Sequence, residues 1–152
     1  MVRADRARTS RGGEVKQESF PDSAAVDAKR PWSALIGYSR AVRRGAVVEV
    51  SGTSATTADG RVVAPGDAYE QTRYILGEIV AALAELGATP ADVVRTRVYL
   101  TDIGHWEAAG RAHGEVFVGL NPACTFVEVG RLMLDGLVVE VEMSALTNGG
   151  AQ

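Results

Sequence analysis

Apolar and polar residues alternate in five stretches of the chain, and a period of two predicts β-strands. The first two stretches lie within 38–52 and are joined by a turn at Arg44–Gly45. The third, at 93–102, alternates arginines with β-branched residues. The last two, at 124–132 and 137–146, are separated by turn residues. A sheet built from these stretches is therefore expected.

Two other stretches have the helical period. Between 72 and 86, apolar residues recur every three or four positions; Asp67 is the expected N-cap, and Gly87 is expected to end the helix. A second helix is predicted at 103–117, and Asn121–Pro122 breaks it. The predicted order is β-β-α-β-α-β-β. This order indicates an α+β fold in which a mixed sheet carries both helices on one face.

The first thirty residues show no period and few large apolar side chains. Such a segment buries too little surface to offset the entropy lost on ordering. We therefore predict a flexible N-terminal tail at 1–30, one domain at 31–147, and a short C-terminal tail at 148–152. The chain length of 152 residues is that of a single domain.

Composition and charge narrow the classes of function. The net charge of -3 offers phosphate backbones no favourable field, so no nucleic-acid partner is expected. One cysteine cannot form an internal disulfide, which favours a reducing, cytoplasmic location. No apolar run approaches the ~20 residues that a membrane span requires, so no membrane partner is expected either.

Carboxylates and histidines are the candidate chemical groups. Glu140 and Glu142 lie two apart in a predicted strand and so share a face, where one is a candidate catalytic group and the other a candidate ion-pair partner of Arg95 or Arg97. His105 and His113 are ~12 Å apart along a helix, too far to share a metal ion. Neither a metal nor a cofactor is expected.

Several segments together resemble a known family. They are "YSRAV", "VEVSG", "DAYEQTRYILGEIVAALAELGATPADVVRTRVYLTDI", "HWEAAGRAH", "NPACTFVEV" and "VVEVE", which cover about residues 35–146. Taken together, these segments resemble the Rid family, the YjgF-type reactive-intermediate deaminases also known as endoribonuclease L-PSP. The resemblance implies a chorismate-mutase-like fold and a homotrimer. It also implies clefts between subunits where enamines and imines are hydrolysed to ketone and ammonia.

The resemblance implies roles for four residues that match the family pattern. Glu140 corresponds to the glutamate thought to position the hydrolytic water. Tyr38 corresponds to a tyrosine on the first strand of the pattern. Ser51 and Gly52, at the end of the next strand, correspond to a turn that borders the substrate. We therefore predict Glu140 as the catalytic group and the other three as substrate-binding residues.

The chain also departs from the pattern. Cys124 stands where catalytic members have the arginine of a "PAR" tripeptide, and Gly110 stands where they have a cleft asparagine. A guanidinium binds a carboxylate through two parallel hydrogen bonds, whereas a thiol has no fixed charge. Cleft positions are nevertheless predicted for Cys124, Gly110, His113 and Phe126.

Cys124 and His113 each have alternative interpretations. Cys124 is a small, partly buried strand residue, a residue that shapes the cleft, or a nucleophile; the last requires a base close by. His113 lies on the apolar stripe of the second helix, where the sequence favours a packed or interface histidine that is hydrogen-bonded to the backbone. An arginine from elsewhere, such as Arg111, is a candidate replacement for the missing guanidinium.

Two functions from different classes follow. The first is a deaminase-type enzyme that hydrolyses an imine or enamine whose recognised group is not a simple α-carboxylate. The second is a non-catalytic trimer that binds a small metabolite, because the arginine and the asparagine are both absent. Cleavage of RNA is suggested only by the family label, and the acidic composition argues against it.

Overall fold

The computed structural model describes residues 23–148. It confirms the predicted order of strands and helices and adds one strand and one short helix before them. Single 3₁₀ turns at Pro90–Asp92 and Ile103–His105 precede β4 and α3 respectively. The elements are β1 Ser23–Asp27, α1 Ser33–Ile36, β2 Ser39–Arg44, β3 Val47–Ser54, α2 Ala68–Glu85, β4 Val93–Leu100, α3 Trp106–Phe117, β5 Ala123–Glu128 and β6 Val139–Leu146.

The strands form one six-stranded mixed sheet in the order β1-β2-β3-β6-β4-β5. β4 and β5 are parallel, and every other pair is antiparallel. The parallel pair follows from the connection, because α3 crosses over between its two strands. β5 is therefore an edge strand, and both of its faces are largely exposed.

Helix α2 begins and ends where the sequence predicts. The side chain of Asp67 accepts a hydrogen bond from Glu70 N at 3.0 Å, which satisfies a free donor of the first turn. Gly87 follows the helix with a φ of 70°, a left-handed conformation that glycine adopts without strain. The buried stripe of α2, including Ile75 and Ile79, packs on the sheet.

One face of the sheet carries the core, and the other is polar. Alternate residues of β6, such as Val141 and Met143, are buried in the cluster that contains the helices. Between them, Glu142 points to the opposite face and pairs with Arg97 at 3.0 Å. This ion pair confirms the prediction that Arg95 or Arg97 is the partner of Glu142.

The predicted N-terminal tail is too long. Residues 23–30 are not a tail, because β1 pairs with β2 and Arg30 is buried. These residues are ordered by main-chain pairing and by the hydrogen bonds of Arg30. The spacing of apolar residues along the sequence reveals neither. The rest of the predicted tail and residues 149–152 lie outside the described residues. Within 23–148, no helix has the length and apolar character needed to cross a membrane.

Candidate active site

A cavity of about 330 Å³ lies beside the end of β3. Its size suits a small ligand. Four residues predicted from sequence line it: Tyr38, Ser51, Gly52 and Glu140. The structure adds seven that were not predicted from sequence. They come from the segment before β2, from β2, from the end of β3 and the residues just after it, and from the loop before β6: Arg30, Trp32, Ile36, Arg40, Ser54, Thr56 and Met133.

A β-bulge in β3 shapes the cavity. The pairing of β3 with β6 shifts register between Val50 and Thr53, so Ser51 and Gly52 leave the regular ladder. A Cβ atom on Gly52 would lie 2.5 Å from Glu140 Oε1. Gly52 is therefore the residue that lets the Glu140 carboxylate approach the backbone, because a glycine in a strand leaves room for close contact.

Glu140 has the electrostatics of an acid–base group. Burial raises the pKa of its carboxyl, and the nearby charge of Glu142 raises it further, whereas Arg40 acts in the opposite direction. A raised pKa brings a carboxyl closer to neutral pH, where it can both accept and return a proton. Glu140 is half-buried and borders the cavity, so a ligand can reach it.

Hydroxyl groups surround the same cavity. The hydroxyl of Tyr38 accepts a hydrogen bond from Trp32 Nε1 at 3.2 Å, so its own proton is available to a ligand. Ser51 donates to Ser39 O at 2.7 Å, which holds the bulge against β2. These hydroxyl groups give the cavity neutral hydrogen-bonding partners beside the Glu140 carboxyl.

Two buried arginines also line this cavity. Arg30 is 8% exposed; it bonds Thr56 Oγ1 at 2.9 Å and Glu78 at 3.0 Å. Arg40 is 5% exposed and donates to Thr53 Oγ1 at 2.8 Å. The signal that could have identified Arg40 is its place inside "YSRAV", where a charged residue stands in a strand next to a buried alanine.

Two of the four remaining predicted site residues, His113 and Cys124, line a second cavity of about 250 Å³. His113 Nε2 is 3.0 Å from Thr96 Oγ1 and 3.9 Å from Cys124 Sγ. Burial lowers the pKa of His113, which favours the neutral imidazole. His113 is a buried histidine, but its partner is a side chain and not the backbone. Cys124 is exposed, so its interpretation as a partly buried strand residue is wrong.

Gly110 and Phe126 extend this second group. Phe126 is half-buried and meets His113 edge to face, with ring centroids 6.1 Å apart. The nearest atom to a Cβ on Gly110 would be Phe126 Cζ at 4.0 Å, so a side chain would fit there. Arg111, the candidate replacement for the missing guanidinium, lies over the ring of Tyr69 at 4.7 Å and lines neither cavity of the single chain.

The two groups lie on opposite faces of the sheet. Cys124 pairs with Thr96, which is buried under the helices, whereas Glu140 pairs with Tyr99, three positions along β4. Side chains an odd number of positions apart in a strand point to opposite faces. One chain therefore does not bring Cys124 and Glu140 into a common cavity.

Exposed apolar residues flank both cavities. Leu35 is 89% exposed near the first, where Met133 is also half-exposed. Val118, in the wall of the second, is 83% exposed, and Leu120 follows it. Apolar side chains grouped on a surface in this way mark sites of association. Among the described residues, no group of three or more His, Cys, Asp or Glu side chains is placed to hold a metal ion.

Comparison with known proteins agrees with this architecture. The family model described as endoribonuclease L-PSP matches residues 28–147. A RutC family protein of Pyrococcus abyssi is 35% identical over 72% of this chain and 84% of its own.

Two solved structures extend the agreement to the fold. Rv2704 of Mycobacterium tuberculosis, a member of the YjgF/YER057c/UK114 family, is 40% identical with a TM-score of 0.74, over 82% of this chain and 99% of its own. The Rid family protein YyfA of Yersinia pestis, described as of unknown function, is 30% identical with a TM-score of 0.72, over 82% and 99%.

Proposed function

The chain belongs to the YjgF/Rid family, and from this premise we propose that it hydrolyses a small imine or enamine in a cleft between two of its own copies. The observation that carries the proposal is Glu140. It is a half-buried carboxyl with a raised pKa, it rests on Gly52, and it borders a cavity of ligand size. We propose a cytoplasmic location for this activity.

The chemistry requires one group that moves a proton twice. Glu140 as carboxylate accepts a proton from water while the water oxygen bonds to the imine carbon. Glu140 passes that proton to the imine nitrogen, which gives the carbinolamine. The carbinolamine then loses ammonia: Glu140 accepts the hydroxyl proton as the C=O bond forms and gives it to the nitrogen as the C–N bond breaks. Imine and water are thereby converted into ketone and ammonia, and the enzyme is unchanged. A carboxyl with a pKa near the working pH performs both transfers efficiently.

The apolar residues that flank the cavities are exposed in a single chain, and association would bury them. This supports a closed homo-oligomer, and we propose the homotrimer. In a ring, the surface with Glu140 on one copy meets the surface with Cys124 on the next, because head-to-tail contacts join two different patches. Such a contact also covers the exposed Leu35 and Val118. His113, Cys124, Phe126 and the space beside Gly110 then form the far wall of the cleft.

The experiment that tests the reaction is ammonia release from imines and enamines generated in situ, with 2-aminoacrylate as the first substrate. Wild-type protein is compared with Glu140→Gln, which keeps the shape of the side chain and removes its proton transfer. The expected result is acceleration over buffer that Glu140→Gln loses by about a hundredfold or more. Absence of acceleration for every substrate of the panel contradicts the proposal.

Mixed trimers test whether the cleft lies between copies. Glu140→Gln inactivates one wall, and Cys124→Trp fills the other with a bulky ring. Each variant alone is expected to be inactive. After subunits are exchanged in equal amounts, about a quarter of the clefts combine two unaltered walls, and activity returns to that extent. No recovery in trimers that have demonstrably exchanged subunits contradicts a shared cleft.

A second function is favoured by one observation. The wall around Cys124 has no charged group, since the lowered pKa of His113 favours its neutral form and the other lining residues are apolar or, like Asn121, uncharged. A protein that binds a metabolite without converting it needs only complementarity of shape and polarity. This alternative predicts that small metabolites raise the melting temperature of both wild type and Glu140→Gln while no substrate is turned over. Turnover that depends on Glu140 excludes it.

A further inference from the structure

Arg40 is a buried cation that forms no direct ion pair with a described carboxylate, although the charges of Glu78 and Glu140 act on it from farther away. It stands at the start of β2 and is 5% exposed. Within residues 23–148, no Asp or Glu lies within ion-pairing distance of its guanidinium. A buried charge without a partner is costly, and proteins retain one mainly where it serves a site.

Arg30 shows the contrast, because its guanidinium is fully engaged. It donates to Thr56 through both a side-chain and a main-chain oxygen, to two carbonyls of the preceding residues, and to Glu78. Its charge is paired and its donors are occupied. Arg30 therefore orders the segment before β2, and it has no free donor to offer to a ligand.

Arg40 has spare hydrogen-bonding capacity. Among the described residues it donates to Thr53 Oγ1 at 2.8 Å and to Ala28 O at 3.4 Å. The other N–H groups of its guanidinium have no protein acceptor there, and none of its unpartnered nitrogens is sealed from solvent. Because Arg40 lines the cavity with Glu140, a ligand in that cavity can reach these donors.

We infer that Arg40 binds the carboxylate of the substrate, from the same side of the cleft as Glu140. The inference rests on the proposed hydrolysis for the reaction and adds the residue by which this chain recognises an acid substrate. It differs from the expectation that loss of the arginine at position 124 removes recognition of an acid. A guanidinium matches a carboxylate through two parallel hydrogen bonds, and here it comes from β2 instead of β5.

The cavity gives the bound acid a direction. Arg40 and Glu140 lie at its polar part, whereas Trp32, Ile36 and Met133 supply apolar walls. The carboxylate then bonds Arg40, the imine carbon lies near Glu140, and the rest of the substrate contacts the apolar walls. Arg40 also borders a third cavity, in which the acidic Asp27, Glu78 and Glu85 balance the basic Lys29, Arg30 and Arg40. That cavity therefore has no excess of positive charge to attract an anion.

The test compares pyruvate with pyruvamide, which has the same shape and no charge, by calorimetric titration of the full chain. Wild type is expected to bind pyruvate about tenfold or more tightly than pyruvamide. Arg40→Gln is expected to lose that preference, and Arg40→Lys to retain part of it. Arg44→Gln is the matched control, because Arg44 is exposed on the same strand and is expected to change nothing.

The outcomes separate this inference from the proposed function. If pyruvate binding depends on Arg40 but no imine is hydrolysed, the anion site stands and the enzyme proposal fails. If imines are hydrolysed while pyruvate and pyruvamide bind equally, or Arg40→Gln keeps the preference, the anion site is refuted and the enzyme proposal stands. If inorganic phosphate binds to Arg40 more tightly than pyruvate, the carboxylate assignment is overturned. Should Arg40→Gln fail to fold, the preference for pyruvate over pyruvamide in wild type and in Arg40→Lys still tests the inference.

Discussion

Replacing Gly52 with alanine tests whether contact between the bulge and Glu140 positions the catalytic carboxyl. The new Cβ would lie 2.5 Å from Glu140 Oε1 and 3.1 Å from Cδ, well inside van der Waals contact. The backbone at Gly52 is not left-handed, so alanine fits the main chain. The conflict falls on the end of a flexible side chain, and the carboxyl must move by about 1 Å to restore ordinary contact.

The size of the effect follows from that displacement. A misplacement of about 1 Å at a reacting group costs on the order of a hundredfold in rate, or about 2.7 kcal/mol at 1.36 kcal/mol per decade. Stability changes far less, because a rotated glutamate relieves the clash. We therefore expect Gly52→Ala to lower kcat for imine hydrolysis about a hundredfold while the melting temperature falls by only a few degrees.

The control is Gly77→Ala in α2. A Cβ on Gly77 has no atom within 4 Å, and alanine is favoured in a helix, so this variant keeps full activity and gains up to ~1 kcal/mol. The assay pairs kcat with thermal melts of both variants. Unchanged kcat in Gly52→Ala refutes the reasoning, and so does a loss of activity that only accompanies global unfolding.

Three further predictions concern charge and packing. The fold raises the pKa of Glu140, so above the ordinary glutamate pKa the folded chain holds more protons than the unfolded chain, and its stability falls as the pH rises. Glu140→Gln is therefore expected to melt at a higher temperature than wild type at pH ~7. The difference is expected to vanish below pH ~4, where the glutamate is protonated in both states. Equal melting curves at both pH values would contradict this. Arg30→Ala removes the ion pair with Glu78 and both hydrogen bonds to Thr56, and it is expected to cost about 2–4 kcal/mol in urea unfolding. A change below ~0.5 kcal/mol would show that β1 is held without it. Cys124→Arg, at an exposed position, is expected to change stability by less than ~0.5 kcal/mol and to increase hydrolysis of 2-aminoacrylate; no gain in a folded variant would show that the cleft cannot use a guanidinium there.

Local sequence patterns predicted much of the fold. The capped start of α2 at Asp67, its end at Gly87 and the order of the later strands follow from periodicity and from terminal residues, which act over a few positions. The same patterns failed for residues 23–30. That segment is ordered by pairing with β2 and by Arg30, and both act between residues distant along the chain.

The candidate site divides in the same way. The resemblance of "YSRAV", "VEVSG" and "VVEVE" to the Rid family pattern selected Tyr38, Ser51, Gly52 and Glu140, and these residues line one cavity in the structure. The contact of Glu140 with Gly52 required the register shift in β3, which depends on the pairing of strands far apart in sequence.

The sequence alone could not predict that Cys124 and Glu140 lie apart, nor could it predict the environment of Arg40. Cys124 lies on the helix side because β5 pairs with β4 in a register set by the α3 crossover. Arg40 is buried because residues from β1 to β3 close around it. Periodicity reports which face of its own element a residue occupies. Which faces meet, and which charge is left without a partner, depends on contacts that form only when the whole sheet assembles.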